Sequence, residues 1–234
     1  MTAALRRSTL LLFSLTIAAP AAFAQDRILT LDDVSPELSR LIAGTPLDLI
    51  AREEIKYGVT SAPEYDEFFR SSAIAYGGFL VGRGLTDDAT LKLKGYARSK
   101  AAVAELEAEI AELTSGADTS EWTTEQSLAV LAAADKKDQL SHEERAYMVS
   151  TAANVAATIP VVHAAISASA ELTGQAPGLV SGARSAFGLR QAPGVVRNVQ
   201  RSGDRIKDIP AHGSSLAEEL LVLSRGLALV SGGE

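Results

Sequence analysis

The sequence predicts an all-α fold, organised as a multi-helix bundle with a proline-punctuated C-terminal tail of short helices. Three observations predict this fold class. Helix start signals recur, with a capping hydroxyl placed directly before a proline at Ser35-Pro36 and Thr45-Pro46. Apolar side chains follow spacings of three and four residues, as they do from Tyr65 to Tyr76. No segment shows convincing period-two alternation, so no strand is expected.

The segment 1–24 has the pattern of a secretory signal peptide. Arg6 and Arg7 form a basic region, an apolar run extends from Leu10 to Ala19, and Ala22-Phe23-Ala24 is a small-x-small cleavage site. This apolar run is much shorter than the roughly 20 residues of a spanning helix, which favours cleavage over the alternative of a retained anchor. Cleavage near Ala24 predicts a periplasmic or secreted protein.

Charge and composition limit the function classes. The 234 residues carry a formal charge of −7, which becomes −9 without the signal peptide, because that segment holds two of the 22 basic residues and none of the 29 acids. A chain this acidic does not suit nucleic acid, and anionic lipid headgroups are disfavoured for the same reason. The sequence has no cysteine, which excludes disulfides, thiolate catalysis and cysteine-ligated metals.

Three helices are predicted in the first part of the mature chain. Pro36 begins a short helix, and a second follows Pro46 and runs from Leu47 to Tyr57. Gly58 is placed to end the second helix in the left-handed conformation. Ser61, with Pro63 close behind it, opens the third helix.

The third helix carries the densest aromatic stripe of the chain, and we expect this stripe to be central to the core. The stripe leads into Gly77-Gly78 and Gly82-x-Gly84, which predict either a break in the helix or a close helix crossing. Ordinary core packing is the favoured interpretation of the stripe and the glycines, and a groove between helices is the alternative. The candidate groove or packing residues are Tyr65, Phe68, Phe69, Tyr76, Gly78 and Gly82.

A long helix is predicted after the glycines. Thr86-Asp87-Asp88 restarts the chain with acids at the positive end of a helix dipole, and the helix runs to Ser115, where Gly116 ends it. The polar loop that follows contains the single tryptophan, Trp122, which we expect to fold back onto a helix surface.

Two further helices are predicted over 128–138 and 141–159, the latter opened by a capping box of Ser141 and Glu144. No charged residue occurs from Ala146 to Ala170. We favour a buried central helix for this segment. Insertion into a membrane is the alternative, because the segment is longer than the roughly 20 residues that span a bilayer as a helix.

Prolines at 160, 177, 193 and 210 recur at nearly equal intervals, and each is followed by a segment of helical character. They predict the tail of short helices. The predicted organisation is therefore a signal peptide over 1–24, a helical bundle over 25–159, and a tail over 160–234 that packs on the bundle.

Candidates for catalysis and metal binding are sparse. His142, His163 and His212 are widely separated and have no partner at ligand spacing. Adjacent carboxylates such as Asp87-Asp88 do not face each other on a helix. The glycine-rich segment 77–84 lacks the lysine and the hydroxyl of a phosphate loop. We predict no catalytic residues, no metal site and no cofactor.

These observations predict a non-enzymatic, exported binding, scaffold or adaptor protein. Its expected partner is a protein or an apolar small molecule, and not a nucleic acid. The alternative is a membrane-active protein that inserts segment 146–170, although membrane contact is not favoured. A third hypothesis, an enzyme using carboxylates from different helices, requires facing acidic side chains with raised pKa values.

Overall fold

A computed structural model describes residues 26–29 and 55–230. Over these residues the protein is almost wholly helical, which confirms the all-α prediction. The predicted signal peptide and the predicted helix after Pro36 lie outside the described residues, as does most of the helix after Pro46. The elements are β1 (Asp26–Ile28), β2 (Lys56–Gly58), α1 (Pro63–Lys100), a 3₁₀ turn (Ala104–Leu106), α2 (Glu107–Leu113), α3 (Thr124–Lys136), α4 (His142–Ile206) and α5 (Ile209–Val230).

The two short strands form an antiparallel ribbon in which Arg27 pairs with Tyr57. The helix predicted to reach Tyr57 and end at Gly58 is therefore wrong over its last residues, and so is the expectation of no strand. The reason is non-local: Leu29 donates its backbone N–H to the carbonyl oxygen of Ile55 at 2.9 Å, and both side chains pack with Ala73 of α1. Local periodicity cannot report a partner that is so distant in the sequence.

Helix α1 begins at Pro63, but Ser61 does not cap it. The N-cap residue is Ala62, which has no capping side chain, and the Thr60 hydroxyl accepts the Ala62 backbone N–H at 3.1 Å just before the helix. The Asp66 carboxylate in the first turn accepts both the backbone N–H and the hydroxyl of Thr60. A carboxylate at this end also complements the helix dipole.

Helix α1 continues without a break through 77–88, so the predicted break and the predicted restart at Thr86 are wrong. The alternative of a close crossing is correct. A Cβ added at Gly78 would lie 3.0 Å from Cγ1 of Val161, and one added at Gly82 would lie 2.4 Å from Cγ2 of Val162. The packing of α4 against these glycines outweighs their low helix propensity.

The helix predicted from 86 to 115 is interrupted after Lys100. The Lys100 ammonium binds the carbonyl oxygen of Gln139 at 3.0 Å and the carboxylate of Glu144 at 2.8 Å. After the interruption, Leu106 is fully buried. Gly116 adopts a φ of 69° and donates its N–H to the carbonyl oxygen of Ala111, in agreement with its predicted role after the helix end.

Two capping boxes open α3 and α4. The predicted box at Ser141 is confirmed: its hydroxyl accepts the Glu144 N–H at 3.2 Å, and its own N–H donates to the Glu144 carboxylate at 2.7 Å. The equivalent box of Thr123 and Gln126 is an addition to the predicted features. Trp122 is buried, as expected, and its Nε1 donates to the carbonyl oxygen of Ala117.

Helix α4 passes through Pro160, Pro177 and Pro193 without ending, so the predicted helix starts there are wrong. All three prolines are exposed, so the carbonyl groups that lose a helical N–H partner lie on the solvent side. Pro210 is correctly predicted, since it is the second residue of α5. Helix α4 also crosses the proposed domain boundary between 159 and 160.

Helix α4 reverses direction at Gly188, whose backbone is non-helical with φ 69° and ψ 176°. This glycine divides α4 into a first arm (142–187) and a second arm (189–206). A Cβ added at Gly203 would lie 3.9 Å from the Cβ of Ala176, so the second arm folds back along the first. Helix α5 continues in the same direction, with Gly213 against Ile166 of the first arm.

The first arm of α4 runs antiparallel to α1 along its whole length. The Tyr65 hydroxyl donates to the carbonyl oxygen of Leu179 at 2.8 Å near one end, and Lys100 binds Glu144 at the other. Helix α5 packs beside both, and α3 closes the Lys100 end, where Gly226 of α5 lies against Leu128. One apolar core joins all the long helices.

Candidate functional site: an uncharged groove between α1 and α4

Three of the six predicted site residues are core residues. Tyr65, Phe68 and Phe69 are at most 1% exposed. The Tyr65 ring meets Phe187 edge to face, with 4.9 Å between ring centroids. Burial, and then the neighbouring Glu64, raise the pKa of Tyr65 above its ordinary value. These aromatic residues fix the packing of α1 on the first arm and are not accessible to a ligand.

The other three predicted residues differ in exposure. Tyr76 is half-buried and packs against the apolar cluster of Leu29 and Ile55. Gly82 is buried beneath Val162. Gly78 is the one predicted residue that lines an open groove.

This groove lies between α1 and the first arm of α4, and its volume is about 530 Å³. That volume falls within the usual range for small-molecule sites, about 300–1,000 Å³. None of the lining residues is charged. They are Ser71, Ile74, Ala75 and Gly78 from α1, and Ala157, Pro160, Val161, Ala164, Ala165 and Ala168 from α4.

Small side chains keep the groove open. Gly78 lets the two backbones approach, since a Cβ added there would lie 3.0 Å from Val161 and 3.6 Å from Ala165. Beyond that contact the α4 residues at 157, 164 and 168 are alanines, which are too short to fill the space between the diverging helix surfaces. The groove is therefore a consequence of the same small residues that allow the close crossing.

Two buried hydroxyls lie at one end of the groove. Ser72 and Ser169 are 3% and 0% exposed, and among the described residues neither Oγ atom has a hydrogen-bond partner. Each follows a lining residue in sequence, Ser71 and Ala168 respectively. The antiparallel register of Gly78 against Ala165 places both serines at the same level of the two helices. A buried hydroxyl without a partner carries a desolvation cost.

The predicted histidine and carboxylate candidates do not converge. His142, His163 and His212 are all exposed and lie on different stretches of α4 and α5. Within the described ranges, no group of three His, Asp or Glu residues is placed to hold a metal ion.

Among the described acids, the one buried carboxylate is Glu144. Burial alone would raise its pKa, but the hydrogen bonds from Lys100 and Ser141 outweigh burial and hold the pKa below its usual value. Asp88 faces Tyr147, whose pKa is raised to about 12 by burial and then by this carboxylate. An enzyme that uses two carboxylates would need two facing acidic side chains with raised pKa values. No two buried carboxylates face each other in the described part of the chain.

The chain matches no protein-family model, no curated protein and no solved structure. Within the range His142–Val230, which contains α4 and α5, one 18-residue segment is apolar enough by length and composition alone to cross a membrane, and 33% of that segment is buried. The core helix of a soluble protein passes the same test.

Nine of the ten groove residues are absent from the sequence-based site prediction. Six of them lie inside the charge-free segment 146–170, so the sequence does carry a signal for that wall. The charge-free segment does not indicate which helix forms the opposite wall. The wall contributed by Ser71, Ile74 and Ala75 can be assigned only once the structure shows that Gly78 faces Val161.

Proposed function

We propose that this chain is an exported, non-enzymatic binding protein that holds an apolar small molecule in the groove between α1 and the first arm of α4. The observation that carries the proposal is the wholly uncharged lining of this groove in a chain of net negative charge. The signal-peptide pattern of the segment 1–24 supports export.

The chemistry of the lining favours an uncharged, elongated ligand. The α4 wall extends from Ala157 to Ala168, about 17 Å along the helix axis. Side chains along this wall offer contact area and no charge, so affinity comes from burial of apolar surface. Each buried methylene contributes about 0.8 kcal/mol, or roughly fourfold in affinity.

The test uses the protein that begins at Gln25. We expect it to raise the fluorescence of the uncharged probe N-phenyl-1-naphthylamine saturably. Octanol, decanol and dodecanol should compete with the probe in increasing order, each added methylene improving competition about fourfold until the groove is filled. Competition that is independent of chain length contradicts the proposal.

A matched pair of variants locates the binding site. Ala164→Glu places a charge in the groove and should abolish probe binding, because an unpaired carboxylate is costly to desolvate. Ala170→Glu is the control: it makes the same substitution at an exposed alanine of the same arm, on a different side of the helix from the groove residues, and should leave binding unchanged. Equal loss in both variants contradicts the assignment to the groove.

A second candidate function is membrane insertion of segment 146–170. The observation that favours it is the solvent-facing side of this segment, which is uncharged over its whole length and includes Val149 at 58% exposed. Liposome flotation combined with dye leakage at neutral and acidic pH tests it. Here Ala153→Glu is the damaging substitution, because it charges the face that would meet lipid. Absence of flotation at every pH removes this candidate.

A further inference from the structure

Charge is strongly segregated along this acidic chain. The segment 172–207, which contains the Gly188 reversal, the end of the first arm and the whole second arm of α4, carries six cationic side chains and one carboxylate, Asp204. The other described residues carry 12 cationic and 21 anionic side chains. The negative net charge of the whole chain, which disfavours anionic partners, therefore conceals a locally basic segment. The six cationic residues are Arg184, Arg190, Arg197, Arg201, Arg205 and Lys207.

The arginines of the second arm form one exposed row. Arg197, Arg201 and Arg205 recur every four residues, which places them on the same face of the helix, and all three line a surface depression of about 430 Å³. The Arg205 guanidinium donates to the backbone carbonyl oxygen of Lys56 at 3.2 Å. Asp204, which also lines the depression, is bound to Lys207 at 3.1 Å.

The two remaining arginines of the hairpin lie near its apex. Arg184 and Arg190 flank the reversal at Gly188 and are exposed. Among the described residues no carboxylate forms an ion pair with Arg184, Arg190, Arg197 or Arg201. A guanidinium that is not engaged by a carboxylate keeps its full capacity for bidentate hydrogen bonds to a phosphate group.

The apex of the hairpin is apolar. Leu189 follows the reversal at Gly188 and is 69% exposed, which makes it one of the most exposed large apolar side chains described. It lies directly beside Arg190 in the sequence and on the same side of the reversal. An exposed leucine bordered by arginines matches the boundary of a lipid bilayer, where apolar groups enter the acyl region and cations bind the phosphates.

We propose that the α4 hairpin docks on an anionic phospholipid surface by the arginine-bearing face of its second arm together with its apex. Arg184, Arg190, Arg197 and Arg201 bind the lipid phosphates, and Leu189 enters the headgroup boundary. Nucleic acid would use the arginines but would gain nothing from an exposed leucine, which is why a lipid surface is favoured. The proposal uses residues outside the groove and outside segment 146–170, so it stands or falls independently of both candidate functions.

The test is co-sedimentation of the protein beginning at Gln25 with sucrose-loaded vesicles. We expect binding to vesicles of phosphatidylcholine and phosphatidylglycerol mixed two to one, and none to phosphatidylcholine alone. Each arginine contributes about fivefold to partitioning, so Arg190→Gln/Arg197→Gln/Arg201→Gln should weaken binding about a hundredfold. Replacing the same three arginines by lysine should preserve most of it. Arg205 is left intact because it also binds Lys56.

The matched control removes three exposed cations from the acidic part of the molecule, as Arg83→Gln/Lys136→Gln/Arg225→Gln. This variant has the same net charge as the hairpin variant and should bind like the unchanged protein. Equal weakening in both variants, or equal binding to neutral vesicles, overturns the proposal. So does arginine-dependent binding of single-stranded DNA or inorganic polyphosphate without vesicle binding. Leu189→Ser should weaken vesicle binding about tenfold, and no change in this variant overturns the apolar part of the proposal.

Discussion

Gly82 offers the sharpest test of how α1 and α4 pack. A Cβ added at Gly82 would lie 2.4 Å from Cγ2 of Val162, 3.1 Å from Cδ2 of Leu216 and 3.6 Å from Cγ2 of Thr158. These atoms belong to the first arm of α4 and to α5, so three helices meet at this residue. The substitution Gly82→Ala therefore forces at least one of them to move.

The expected magnitude follows from two opposing terms. Alanine is about 1 kcal/mol better than glycine in a helix interior, whereas overpacking a close contact costs about 1–3 kcal/mol. Gly95→Ala isolates the first term, because Gly95 lies on the same helix and its added Cβ meets nothing within 4 Å. We expect Gly95→Ala to stabilise by about 1 kcal/mol. Gly82→Ala should be less stable than Gly95→Ala by about 2 kcal/mol, the cost of overpacking alone.

Urea denaturation followed by circular dichroism measures both free energies of unfolding. The double variant Gly82→Ala/Val162→Ala removes the methyl groups nearest the new Cβ. Its loss of unfolding free energy should therefore be smaller than the sum of the losses in the two single variants. If Gly82→Ala is as stable as Gly95→Ala, the close crossing is refuted. Strict additivity in the double variant refutes the assignment of the clash to Val162.

Three further predictions concern other parts of the core. Glu144→Gln should destabilise by about 3 kcal/mol at pH 7, since it removes the carboxylate that neutralises the largely buried Lys100 ammonium. Because the pKa of Glu144 is depressed, this stabilisation is present above the unfolded value of 4.5 and is lost as pH falls through the folded pKa, so urea titrations of the two proteins should converge at acidic pH. Ser72→Ala and Ser169→Ala should each stabilise by about 1 kcal/mol in the same assay, since each removes a buried hydroxyl without a partner, and a loss of stability would reveal a missed hydrogen bond. Gly188→Ala should lower the thermal midpoint, because a φ of 69° costs a residue with a side chain about 1 kcal/mol or more, and an unchanged midpoint would contradict the reversal there.

The sequence predicts local features well and long-range ones poorly. The capping box at Ser141 and the glycine stop at Gly116 are encoded within a few residues, and both are present. The strand at Tyr57 depends on its pairing with Arg27, and no local pattern specifies that pairing.

Proline is the least reliable signal for the ends of helices in this chain. Pro160 and Pro177 lie inside α4, on its exposed side, where the unpaired carbonyl oxygen reaches water. Pro210 does begin a helix. The residue that reverses the chain is Gly188, which no sequence signal distinguishes, because an isolated glycine in an apolar helical stretch is compatible with a continuing helix.

The sequence-based predictions do not include the groove between α1 and α4 or the basic hairpin of α4. In both cases the reason is that the surface is formed by residues that become neighbours only in the folded chain. The groove needs Gly78 from α1 and Val161 from α4, which are far apart in the sequence. The segment 172–207 has an excess of five positive charges inside a chain of net charge −7, so a sum over the chain conceals it. Interaction strength depends on local charge within about a Debye length, roughly 10 Å at 0.1 M salt. The reversal at Gly188 therefore bears on the proposed lipid contact as well as on packing, because it joins the arm that carries Arg184 to the arm that carries the arginine row.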